Sequence, residues 1–146
     1  MTSKKISALE QFHEFCTRGV DEEVGKILKG SKSTINMPGQ LGNTALHWAS
    51  SGGHTKVVQM LIDAKASVNA QNKVKDTPLH MAAWRDCVEV IKVLIDAGAE
   101  KGLKNQNGKV PLDLGRSQEA REKLLAVAEA EAKSSIKIAD DDSDTD

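Results

Sequence analysis

The sequence contains no tyrosine, and only two phenylalanines and two tryptophans among 146 residues. Its core must therefore be filled by Ala, Leu, Val and Ile, which a stacked array can do. Cysteine is nearly absent too. Cys16 and Cys87 cannot form a disulfide framework and read as free thiols in a reducing compartment. No apolar run approaches the roughly 20 residues that span a bilayer, so no membrane association is expected. No hydrophobic segment follows Met1-Thr2-Ser3-Lys4-Lys5, which reads as the start of a cytoplasmic or nuclear protein. No His/Cys/carboxylate set stands at metal-ligand spacing, and no glycine-rich loop could cradle phosphate. Neither metal nor cofactor is expected, and the absence of a catalytic cluster argues against an enzyme.

Charge is balanced in sum but not in position. Asp140, Asp141, Asp142, Asp144 and Asp146 are five of the 21 acids, and all 20 Lys and Arg precede them. A mildly basic body thus carries an acidic tail.

What the sequence does contain is an internal repeat. Asn43-Thr44-Ala45-Leu46-His47-Trp48-Ala49 returns as Asp76-Thr77-Pro78-Leu79-His80-Met81-Ala82, 33 residues on. The same offset pairs Val57 with Val90, Leu61 with Leu94 and Ala64 with Ala97. It reaches back to Cys16, Val24 and Leu28, and forward to Pro111-Leu112. A period of this length indicates a solenoid made from one small supersecondary unit.

Thr77-Pro78-Leu79-His80, with Val90, Leu94 and Ala97-Gly98-Ala99, resembles an ankyrin repeat. A closer likeness rests on Ala45 to Ala49, Gly52-Gly53-His54, Ala82 to Arg85 and the Asp/Ser-rich end. It is to the repeat-and-tail portion of an intracellular adaptor that carries an SH3 domain ahead of its repeats. The resemblance implies an all-α solenoid of helix-turn-helix units joined by hairpin-like fingers. The expected division is a capping repeat over 1–36, repeats over 37–69 and 70–102, a degenerate cap over 103–133, and a disordered acidic tail over 134–146.

Local signals fit that division. Ser7 to Glu10 has the form of a capping box, followed by Leu9, Phe12, Phe15 and Cys16 on one helical face and by Gly19 as a stop. Phe12 and Phe15 are expected in the core. Asp21 opens a second helix with Val24, Ile27 and Leu28 inward. In the third repeat Lys75 replaces the turn glycine Gly42, so either the turn changes type or that finger is weakened. Asp86 replaces the glycine between helices, and Asp113 stands at the histidine position. Residues 117–133 read as a long capping helix, with Leu124, Leu125, Val127 and Ala128 available for packing and Glu119, Glu122, Glu129 and Glu131 outward.

His47 and His80 could be mistaken for ligands or a catalytic pair. Their place in the Thr-Pro-Leu-His motif implies local backbone bonding instead. His13 and His54 gain no partner from the sequence, and Asp63 and Asp96 are equivalent sites one period apart. In ankyrin repeats, partners are held by finger tips and by the exposed end of the first helix. Carried over, that selects Gln40, Leu41, Asn43 and Ser51, then Lys73, Val74, Asp76, Trp84 and Arg85, and then Gln106, Asn107 and Lys109. Trp84-Arg85 is the sharpest candidate, since Trp and Arg are enriched among energetic hot spots. The alternative is a ring packed across the groove. Trp48 is assigned to the core.

The expected activity is non-catalytic: an adaptor or scaffold, monomeric, that binds a protein segment with an apolar anchor and acidic flanks. The alternative is an inhibitor that occludes a partner enzyme's active site. Nucleic acid is disfavoured, because there is no arginine-rich stripe and the tail would repel phosphate. The tail is either a solubilising end or a competitor for the basic face, with Ser143 and Thr145 as phosphorylation candidates.

Overall fold

A computed structural model of the protein describes residues 7–31 and 33–125, all helix, turn or loop, with no strand among them. Helices pair as α1 (Ala8–Arg18) with α2 (Asp21–Gly30), α3 (Ala45–Gly52) with α4 (Thr55–Asp63), and α5 (Pro78–Trp84) with α6 (Val88–Asp96). The short α7 (Pro111–Leu114) is followed by a helix, α8, described over 118–125. Among the described residues no helix is long and apolar enough to cross a membrane.

The first helix of each of the three pairs, and α8, starts on a side-chain cap. Ser7 Oγ accepts from the Glu10 amide at 3.1 Å, the serine half of the expected capping box. Thr44 and Thr77 cap α3 and α5 in the same way. Gly19 and Gly53 end α1 and α3 in the left-handed conformation, and Asp86 takes it after α5 with φ 62°. Ser117 Oγ accepts from the Ala120 amide at 3.0 Å and starts α8.

The 33-residue register is the core. Val24, Val57 and Val90 are buried above one another, as are Leu28, Leu61 and Leu94, and Leu46 and Leu79. Cys16, Ala49 and Ala82 are fully buried and small, which lets the first helices of successive pairs approach closely. The first helices pack on one another in the row α1–α3–α5–α7 and the second helices in the row α2–α4–α6. Phe12 is in the core and Phe15 lies half-buried against it. Leu125 departs from expectation: only Leu124 turns inward, and Leu125 is exposed. Val127, Ala128, Glu129 and Glu131, together with the tail and its Ser143 and Thr145, lie outside the described residues.

The Lys75 alternative resolves toward strain. Gly42, Lys75 and Gly108 have φ of 74°, 65° and 73°, so the turn is conserved in type and the lysine sits in the left-handed region. That conformation costs a side-chain-bearing residue about 1 kcal/mol. Lys75→Gly is therefore expected to raise the unfolding free energy by about that amount, read as a higher denaturant midpoint at unchanged slope. A lowered midpoint would show that Lys75 stabilises the finger through its side chain.

Candidate partner-binding groove

The fingers are built as three hydrogen-bonded hairpins. Gly39, Asn72 and Asn105 donate their amides to the carbonyls of Asn43, Asp76 and Lys109 at 2.9 to 3.0 Å. Inside the second and third, Asn72 Oδ1 accepts from Val74 and Asp76 amides, and Asn105 Oδ1 from Asn107 and Lys109 amides. Each finger is then tied to the one before it. Asn72 Nδ2 donates to Asn43 Oδ1 at 2.8 Å, and Asn105 Nδ2 to Asp76 Oδ1 at 2.9 Å. The Lys73 amide donates to the Leu41 carbonyl and the Gln106 amide to the Val74 carbonyl.

This ladder corrects one site assignment. Asn43 is 2% exposed and its side chain is occupied between fingers, so it holds the row together and does not face a partner. Asp76 is half-buried, with its Oδ1 bonded to Asn105. The exposed tips are Gln40, Leu41, Lys73, Val74, Gln106, Asn107 and Lys109. Leu41 is 67% exposed, in a left-handed conformation beside Gly42 that turns the tip outward.

The remaining residues form a second group. Trp84 is 54% exposed at the end of α5, with Arg85 exposed beside it and Ser51 half-buried at the equivalent place on α3. One helix of seven residues, about 10 Å long at 1.5 Å per residue, separates this group from the finger tips. Met81 bridges the two groups, because it shares the Trp84–Arg85 face at helical spacing and is itself half-buried. Trp48, assigned to the core, occupies the same register place on α3 and is also half-buried. A further residue escaped the sequence reading: the Arg116 guanidinium lies 5.4 Å from the Trp84 ring centroid and braces it.

Comparison with known families matches residues 12–105 to Ankyrin repeats (3 copies). The chain belongs to the ankyrin-repeat family. Ankyrin repeats are in general protein-protein interaction modules, and the chain is an all-α ankyrin solenoid. No curated protein matches the chain.

The ankyrin histidines are structural. His47 Nδ1 accepts from the Thr44 amide at 3.1 Å, so the ring proton is on Nε2, which donates to the Asp76 carbonyl at 2.8 Å. His80 repeats this with the Thr77 amide and the Lys109 carbonyl. Asp113 keeps the local half, accepting from the Val110 amide at 3.0 Å. His54 does have a partner, the Thr17 carbonyl at 2.7 Å, across the first two helix pairs. Burial holds the Cys16 thiol up at about 12 and also raises that of Cys87, so neither is poised as a thiolate. Asp63 and Asp96 are exposed at equivalent helix ends. No three His, Cys, Asp or Glu among the described residues could hold a metal.

Burial pushes the pKa values of His13 and His47 below the ordinary 6.5, against the opposing pull of the Met37 and Asp76 carbonyls. In acid the unfolded chain therefore binds protons at these sites before the folded one does. Their contribution to stability is complete above pH 6.5 and is lost as the pH falls through the depressed folded-state values. The denaturant midpoint is expected to drop between about pH 7.5 and about pH 5, and to drop less in a His47→Gln variant. An equal drop in both would remove His47 from the account.

Proposed function

We propose that this protein is a non-catalytic adaptor or scaffold, acting in the cytoplasm or nucleus, that holds a partner protein in the ankyrin groove. The observation that carries the reading is Trp84: more than half exposed, beside Arg85, and braced by Arg116. A rigid exposed indole flanked by guanidinium groups is the composition of an interface hot spot. Leu41 and Val74, tied by neighbouring backbone at successive tips, add an apolar strip. Exposed Lys73, Lys75 and Lys109 stand on the same fingers and Arg85 beside Trp84, which suits a partner segment with an apolar anchor and acidic flanks. The likeness to the repeat-and-tail portion of osteoclast-stimulating factor points the same way, with no matching relative behind it.

The test is affinity capture from a cell lysate with the wild type beside a Trp84→Ala, Arg85→Ala variant of unchanged helical content. Proteins retained only by the wild type are the expected result. Equal retention by both would move binding away from this groove.

A further inference from the structure

A cavity of about 230 Å³ opens between α1 and the first finger. It exists because α1 has 11 residues where α3 has 8 and α5 has 7. In the 33-residue register α1 starts four residues early, and the extra turn brings Leu9 and Glu10 alongside Gly39 and Gln40 of the finger, with Glu14 on the next turn. Trp48 of α3 closes the far wall.

Two buried polar atoms mark this cavity as unfinished. His13 stands in register with Leu46 and Leu79, both fully buried leucines, and puts an imidazole where the repeat wants an alkyl group. It is 6% exposed, and its Nε2 has no hydrogen-bond partner among the described residues. Burial keeps the ring from protonating readily, against the opposing pull of the Met37 carbonyl. Trp48 Nε1 is likewise buried and unpartnered. Gly39 permits the arrangement, because a Cβ there would sit 2.8 Å from His13 Nδ1. Orphaned buried donors are uncommon enough in folded proteins to require an explanation.

The geometry points to an arginine side chain of an extended partner segment as the occupant. The volume is below the roughly 300–1,000 Å³ of small-molecule sites and suits one long side chain. Glu10 and Glu14, one helical turn apart at the cavity, give it negative charge, and among the described residues Glu14 is paired with exposed Arg18 at a loose 3.6 Å. A guanidinium stacks on an indole face and offers five donors, enough for both carboxylates. A guanidinium held there would lie against the Trp48 ring, which closes the cavity wall. The groove is then bipolar, acidic at α1 and basic at Lys73, Arg85 and Lys109, which fixes the direction in which a segment lies. This inference rests on the protein-binding reading for the nature of the occupant.

The test titrates the full-length, 15N-labelled protein with the blocked peptide acetyl-Gly-Arg-Gly-amide and with its citrulline isostere. The two indole N–H signals are assigned by Trp48→Phe and Trp84→Phe variants. The arginine peptide is expected to move the Trp48 signal saturably and the citrulline peptide to leave it in place. A Glu10→Gln, Glu14→Gln variant is expected to bind at least about tenfold more weakly with an unchanged denaturant midpoint. Equal response to both peptides would overturn the proposal, as would a Trp48 signal that moves with protein concentration alone, which would make a second copy the occupant. Movement of Trp84 without Trp48 would also overturn it while leaving the protein-binding reading intact.

Discussion

His47→Ala is expected to lower the unfolding free energy by about 3 kcal/mol, the sum of a cavity and of backbone groups left without partners. The ring is fully buried, and it bonds the Thr44 amide, the Thr44 hydroxyl and the Asp76 carbonyl. Removing it leaves the Thr44 amide without its reciprocal partner, although the Thr44 hydroxyl still caps the residue-47 amide, and cuts one tie between the first helix of one pair and the next finger. Equilibrium denaturation followed by helical circular dichroism measures the loss. Asp113 suggests the control, since its carboxylate accepts from the Val110 amide as the histidine does from the Thr44 amide but is too short to bond a neighbouring finger as well. A His47→Asp variant should restore the bond to the Thr44 amide but not the tie, and so recover only part of the stability. If His47→Ala costs under about 1 kcal/mol, within the range of a single net hydrogen bond, the histidine is not a tie between repeats.

The core was legible because a solenoid repeats by translation. One offset, applied from Cys16 to Pro111, places buried residues under buried residues without any long-range guess. The finger ladder was less so. Asn72 and Asn105 are also one period apart, but what they bond depends on how adjacent fingers approach, and Asn43 looked like a surface residue until that contact was known. His13 carried a signal that could have been read, a polar residue in a leucine register. Arg116 carried none, because it follows the last recognisable turn of the repeat and meets Trp84 only through the packing of α7 on α5. Lys75 shows the opposite case, in which the backbone demand of a repeated turn overrides the local preference of its residue.

Trp84→Ala is expected to weaken partner binding by about 2 kcal/mol, roughly thirtyfold, while costing less than about 1 kcal/mol of stability. The asymmetry follows from exposure. At 54% exposed, the ring has little core contact to lose, and its contact with Arg116 is a surface cation–π pair. A partner that covers it would desolvate a large, rigid indole already held in place, so little ordering cost offsets the burial. Arg116→Ala should then weaken binding by less than Trp84→Ala, because it frees the ring without removing it. Both effects are measured by calorimetric titration of the captured partner, with denaturant midpoints taken on the same samples. If Trp84→Ala instead lowers the midpoint as much as the affinity, the indole belongs to the packing of α5 on α7, and the hot spot must be sought among the finger tips.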